Sequence, residues 1–149
     1  MPQYLYKIPA KLPSAYQDRV NDKVYALGVW DTHKPEEHDR LRRLSYPGTD
    51  VLLVCFSVAK RDSLDNVEHL WLEEIKQFCP GVPWILVGTQ IDKRVENDPN
   101  VHSRRNAMVS TKEAQRIARK HGAFTYIECS ALARINVKDV LVLVSCFGF

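Results

Sequence analysis

The chain predicts an α/β fold, a mostly parallel sheet with flanking helices, on three observations. Residues 51–58 form a near-continuous apolar run, the composition of a strand buried on both faces. Residues 63–78 place Leu64, Val67, Leu70, Trp71, Ile75 and Phe78 at helical spacing. Strand-like runs at 82–88 and 124–129 alternate with helical patterns, which argues for parallel strands joined by right-handed crossovers. Taken in order, residues 24–30 alternate and read as a strand. Asp62 or Ser63 would cap the helix over 63–78, and Pro80-Gly81 ends it. A polar stretch rich in charge and Asn covers 93–110. Ser110-Thr111-Lys112-Glu113 then opens a helix over 111–121 as a capping box, and Gly122 suits its C-terminal cap. A final helix begins near Asn136 and stops early. No internal repeat or low-complexity segment is evident.

At 149 residues the chain is expected to be one domain, residues 1–149. Its hydrophobic content of 45% and charged content of 26% are those of an ordinary soluble globular protein. A net charge of +3 is too small to argue for a nucleic-acid partner. Arg40, Arg42 and Arg43 form a local basic cluster, as do Arg104 and Arg105, and both read as solvated surface. No run approaches the ~18 apolar residues of a membrane span. The apolar stretch from Leu5 to Leu12 is broken by Lys7, Pro9 and Lys11, so no secretory signal is visible. The four cysteines, Cys55, Cys79, Cys129 and Cys146, form no C-x-x-C pair. Cys55 and Cys129 read as small core residues, and a reducing cytosol is the expected compartment. A monomer is expected.

Two loops carry the chemistry. Thr89-Gln90-Ile91-Asp92 follows the apolar run that ends at Gly88, and a polar loop at the C-terminal end of a buried strand is where doubly wound folds bind ligands. Glu128-Cys129-Ser130-Ala131-Leu132 follows another strand-like run. Guanine offers a ring N–H and an exocyclic amine side by side, and one Asp carboxylate accepts both. Adenine lacks that pair, so such an Asp gives guanine specificity through charge-assisted hydrogen bonds. The backbone N–H of a Ser-Ala turn suits the guanine carbonyl oxygen.

These residues resemble a known family. Thr89-Gln90-Ile91-Asp92 resembles the guanine motif of Ras-like small GTPases, in the T-Q-x-D form of the Rho family. Ser130-Ala131-Leu132 resembles their S-A-[LK] motif, and Trp30-Asp31-Thr32 the W-D-T that opens their second switch. Leu41 to Asp50 is similar to the Rho segment L-R-x-L-S-Y-P-x-T-D, and Val54-Cys55-Phe56-Ser57-Val58 also resembles a Rho segment. The likeness runs from about residue 24 to 140. It implies a Ras-like P-loop NTPase fold, GTP or GDP as ligand with Mg²⁺, and Rho-type effectors and regulators as partners. It assigns guanine binding to Thr89, Gln90, Asp92, Ser130, Ala131 and Leu132, and a Rho-type insert to 93–110. Residues 40–46 and the helix bearing Trp71 become candidate protein-binding surfaces, though Trp71 reads first as core.

Three departures qualify the resemblance. A GTPase grips phosphate with G-x-x-x-x-G-K-[ST], yet this chain has six glycines and nothing before Asp31 resembles that loop. Residues 1–23 are therefore an atypical N-terminus, and the fold is expected to lack its normal first strand and phosphate loop. Gln3 to Ile8 alternate and can refill the strand slot; the alternative is a truncated product. In the second switch the family reads W-D-T-A-G-Q-E, where this chain has Trp30-Asp31-Thr32-His33-Lys34-Pro35-Glu36. Pro35 stands where Gln would orient the attacking water, and proline has no N–H and no polar side-chain atom. No catalytic residue is assigned. Asp31, with Thr32, is a switch II remnant with two readings: a former Mg²⁺ contact or a strand-end residue. Finally, Cys146-Phe147-Gly148-Phe149 has the spacing of a C-a-a-X prenylation box, with Gly148 in place of an aliphatic residue and no preceding polybasic stretch. Cys146 thus stands as a lipidation candidate or a chance cysteine, and peripheral membrane attachment hangs on it.

Overall fold

The protein is described by a computed structural model over residues 5–7, 16–20, 23–32, 39–94 and 108–147. In chain order the strands are β1 (Leu5–Lys7), β2 (Tyr16–Val20), β3 (Lys23–Leu27), β4 (Trp30–Asp31), β5 (Leu52–Ser57), β6 (Trp84–Thr89) and β7 (Thr125–Glu128). The helices are α1 (Asp39–Leu44), α2 (Arg61–Asn66), α3 (Leu72–Phe78), α4 (Thr111–His121) and α5 (Val137–Ser145), with a π turn, Val67–Trp71, joining α2 to α3.

The centre is parallel. β5 pairs with β6 from Leu52↔Trp84 to Ser57↔Thr89, and β6 with β7 from Ile85↔Thr125 to Gly88↔Glu128. Every residue of β5 is buried, and β6 is buried through Gly88. Side chains of a strand alternate faces, so two cores result. On one face Leu52, Val54, Phe56, Trp84 and Leu86 pack against Leu64, Val67, Trp71, Leu72 and Ile75 of the α2–α3 segment, and against Ala114, Ile117 and Ala118 of α4. On the other, Val51, Leu53, Cys55, Ile85 and Val87 meet Val140 and Val144 of α5. Each large side chain buried this way contributes about 1.5–3 kcal/mol.

The edge of the sheet differs from the sequence reading. The single strand expected over 24–30 is two strands. β3 pairs antiparallel with β2 from Tyr16↔Leu27 to Val20↔Lys23, and this hairpin is a separate two-stranded sheet. β4 instead joins the five-stranded sheet, whose order is β4-β1-β5-β6-β7. Gly28 is the break point, and glycine weakens a strand interior. β1 fills the position between β4 and β5 and is antiparallel to both. The slot-filling expected of residues 3–8 is thus realised by Leu5–Lys7; residues 3, 4 and 8 lie outside the described residues.

The long helix starts at Arg61, earlier than the expected cap, with Lys60 as its N-cap residue. Ser63 does not cap it. Its hydroxyl donates to the Lys60 carbonyl (2.6 Å) and accepts the Ser57 N–H (2.9 Å), tying the helix to the end of β5. α4 matches expectation: Ser110 Oγ accepts the Glu113 N–H at 3.2 Å, and Gly122 closes the helix at φ +76°, where a Cβ is unfavourable. Of the insert expected over 93–110, Lys93 and Arg94 belong to a 3₁₀ turn and residues 95–107 lie outside the described residues.

Gly88 has a steric reason. A Cβ there would stand 2.5 Å from the Tyr126 hydroxyl and 3.1 Å from Val58 Cγ1. Gly88→Ala is expected to destabilise the fold by about 1–3 kcal/mol through overpacking, read as a lower urea midpoint at unchanged m.

Candidate functional site

β6 ends in a chain reversal. Gln90 takes a left-handed conformation, φ +62°, and the 3₁₀ turn Ile91–Arg94 follows. Two side chains anchor this reversal to β5: Thr89 Oγ1 donates to the Phe56 carbonyl (2.9 Å), and Ser57 Oγ donates to Gln90 Oε1 (2.6 Å). The Ile91 N–H points to the Cys129 carbonyl (3.4 Å), while the Cys129 N–H donates to the Gly88 carbonyl (2.8 Å). The ends of β6 and β7 are thereby laced together.

After β7 the backbone of Ser130 exchanges hydrogen bonds with Ile135, at 3.0 and 2.9 Å, closing the loop 130–135. Asn136 Nδ2 donates to the Glu128 carbonyl (2.9 Å) and holds the loop's far end. Ser130 is fully buried. Its hydroxyl donates to Asp92 Oδ1, and its oxygen accepts the Ala133 N–H (3.0 Å). A carboxylate has about four acceptor positions, so Ser130 occupies one of them on Asp92.

The two loops border a cavity of about 580 Å³. Leu53, Cys55 and Val87 form its floor, and Val140 and Leu141 of α5 form a wall. Thr89, Gln90, Asp92, Lys93, Ala131 and Leu132 supply the rim. Five of the six residues singled out by sequence therefore line one cavity, and Ser130 stands behind the rim with its hydroxyl on Asp92. Leu132 is 84% exposed, so its contribution is to the mouth. Asp31 and Thr32 are not brought in. Asp31 is exposed at the end of β4, Thr32 is buried, and neither lines the cavity. Cys146 is exposed at the C-cap of α5, its thiol toward the Val142 carbonyl (3.5 Å). His33 to Glu36, Gly148 and Phe149 lie outside the described residues.

One sequence reading needs correction. Arg42 is not a solvated surface charge. Its Nε and Nη2 fork onto Glu74 at 2.7 Å each, Tyr46 donates to the same carboxylate, and the guanidinium lies 5.2 Å from the Trp71 ring centre. Arg42 and Trp71 are both buried, so the candidate protein-binding surface here is carried by exposed neighbours such as Leu44 and Leu70. A bidentate guanidinium–carboxylate pair with an aromatic face keeps such a charge favourable away from water.

Sequence reasoning also missed the groups behind the rim. Arg94 Nη1 and Nη2 fork onto Glu128 at 2.6 and 2.8 Å, and Tyr126 donates to Glu128 Oε1 at 2.6 Å. Burial pushes the Glu128 carboxyl up, but its bonds to Arg94, Tyr126 and Thr111 outweigh that and hold it below its ordinary 4.5. Tyr126 is driven well above the phenol range, by burial first and then by the Glu128 carboxylate. Burial raises the Cys129 thiol, and burial with the neighbouring Cys129 and Asp31 raises Cys55, so neither is a thiolate nucleophile at neutral pH. No local spacing signals that Arg94 meets a residue 34 positions on.

Three parallel strands with two polar loops meeting beside their C-terminal ends form the kind of edge at which α/β folds bind ligands. The chain matches the model of the Ras family over residues 14–145, most of its length, and it belongs to that family. The family is one of small GTPases, which bind guanine nucleotide with Mg²⁺ and engage protein effectors and regulators. Among the described residues no group of three or more His, Cys, Asp or Glu side chains converges, and Asp31 is not among the residues that line the cavity. No helix among the described residues is long and apolar enough to cross a membrane.

The lowered carboxyls give a sign to the pH dependence. Glu128, Glu113 and Glu68 all sit below 4.5 when folded, the last two through bonds to Arg61 and His121. Their stabilisation is complete above the unfolded value and is lost as pH falls through the depressed folded values. Urea midpoints measured from pH 7 to pH 3 are expected to fall below about pH 4.5. Glu128→Gln should start lower at pH 7 and lose less on acidification.

Proposed function

We propose that this protein is a Rho-like, guanine-nucleotide-binding member of its family that retains base recognition and is severely impaired in GTP hydrolysis. The observation that carries the reading is the hydrogen bond between Ser130 and Asp92, which joins two loops 38 residues apart at the rim of one cavity. On this reading Asp92 accepts the paired N–H donors of guanine, the Ser130-Ala131 backbone meets its carbonyl oxygen, and Leu132 borders the ring. Thr89 and Gln90 complete the guanine-binding rim and also brace the Asp92 turn against β5.

Impaired hydrolysis rests on residue chemistry. The chain carries no G-x-x-x-x-G-K-[ST] run, and Pro35 stands where the family has the Gln that orients water. Losing water positioning and the charge contacts of the transition state costs orders of magnitude in rate. Rho-type effectors and regulators are the proposed partners.

A second reading, a protein-binding module that holds no nucleotide, is favoured by one observation. Among the described residues that line the cavity, Lys93 is the only cation, and phosphate contacts normally supply much of nucleotide affinity. Acid release of nucleotide from protein purified with Mg²⁺ throughout, followed by chromatography, separates the two. GDP in the supernatant is the expected result, lost in Asp92→Ala; an empty supernatant with no heat on titration with GDP leaves the second reading. Lys34→Gly combined with Pro35→Gln is expected to leave GTP turnover at background in a phosphate-release assay. Recovery on that change alone would refute the account of the defect.

A further inference from the structure

Asp92 and Ser130 are carried by turns of their own, each resting on the core through one partly buried neighbour, Ile91 and Cys129. A guanidinium–carboxylate pair joins the two stretches of chain. Arg94 is the last residue of the 3₁₀ turn that bears Asp92, and Glu128 ends the strand that leads into Ser130. Each of the pair therefore sits two residues from one member of the Asp92–Ser130 bond. The Arg94 fork onto Glu128 closes at 2.6 and 2.8 Å with both side chains mostly shielded from water, at 24% and 17% exposure. The same guanidinium donates to the Val109 carbonyl (2.7 Å) and reaches Thr111 Oγ1 (3.3 Å) at the start of α4. Val109 is buried, and its N–H is bonded to the Val58 carbonyl at the end of β5 (2.9 Å). Glu128 Oε1, which takes Arg94 Nη2, also accepts from Tyr126, whose ring stacks on Phe56 with centres 6.2 Å apart. The fork is thus referenced to the rigid sheet at both ends.

We propose that Arg94 is a positioning residue for the base-reading loops: its guanidinium, forked onto Glu128 and seated on the Val109 carbonyl, sets the separation at which Asp92 and Ser130 face a common ligand. The inference rests on the guanine reading for its ligand and on the geometry alone for its mechanics. A planar fork imposes direction as well as attraction, which a lysine at the same place supplies only as a point charge. Rotation of the 3₁₀ turn relative to β6 is what the fork resists. Lysine at position 94 restores charge and one contact, so it recovers part of the effect.

The test has a ligand arm and a ligand-free arm. GDP titration calorimetry is expected to show roughly tenfold weaker binding in Arg94→Ala, with partial recovery in Arg94→Lys. Arg94→Ala with Glu128→Gln should be no worse than the larger single loss, because both act through one contact. Arg61→Ala breaks a comparably placed fork, onto Glu113 at 2.6 and 2.9 Å, away from the loops, and is expected to leave GDP affinity unchanged. In the ligand-free arm, amide hydrogen exchange at Ile91, Ser130 and Ile135 should quicken at least about tenfold in Arg94→Ala, with β5 amides and the Arg61→Ala protein unmoved. Unchanged exchange in Arg94→Ala overturns the proposal, as does full GDP affinity in that variant. Faster loop exchange in a protein that binds no GDP in any form upholds the clamp and overturns the guanine reading instead.

Discussion

The structure depends on burying two adjacent parallel strands on both faces. β5 and β6 carry almost no polar side chain, so neither face can meet water, and the chain must lay helices over each. The α2–α3 segment and α4 cover one face, and α5 covers the other. Parallel pairing also sends each crossover the length of the sheet. The loops that leave β6 and β7 therefore emerge side by side at one edge, and that adjacency is what a site can be built from.

What the loops do with that adjacency is decided by polar side chains. Apolar burial is non-directional and can bring two loops near each other without orienting either. Orientation comes from Thr89 and Ser57 on one side, from Asn136 on the other, and from Ser130 on Asp92 between them. Behind this layer the Arg94–Glu128 fork and the Tyr126 hydroxyl link the site to the core. Gly88 belongs to the same arrangement, because only a residue without a Cβ admits the Tyr126 hydroxyl that Glu128 uses. A second, similar device operates elsewhere: Arg42, Glu74, Tyr46 and Trp71 hold α1 against the long helix with a buried charge pair.

The central strands and α4 were legible because their signals are local. A run of six apolar residues, a Ser-x-x-Glu start and a terminal Gly each act within one element. The β2–β3 hairpin was missed, although Val20 and Lys23 pair across only two residues, Asn21 and Asp22, a turn-prone composition. β2 is polar and its pattern weak, so periodicity gave no warning of it, whereas most of β3 falls within the strand read over 24–30. Gly28, read as lying inside a strand, in fact divides two sheets. Arg42 was misjudged for a different reason: a charged residue's burial depends on finding Glu74, 32 positions away, and no window around Arg42 contains that partner.

By itself the sequence determined the α/β class, the two apolar strands, the order of helices and the identity of the residues at the loop tips, since composition and short-range spacing act before any distant contact forms. Only the tertiary structure decided that Ser130 grips Asp92, that Arg94 answers Glu128, that Leu5–Lys7 enters the sheet antiparallel, and that Asp31 is not part of the cavity lining. Those are matters of direction between groups far apart in the chain, and direction exists only once the packed sheet has set where each group points.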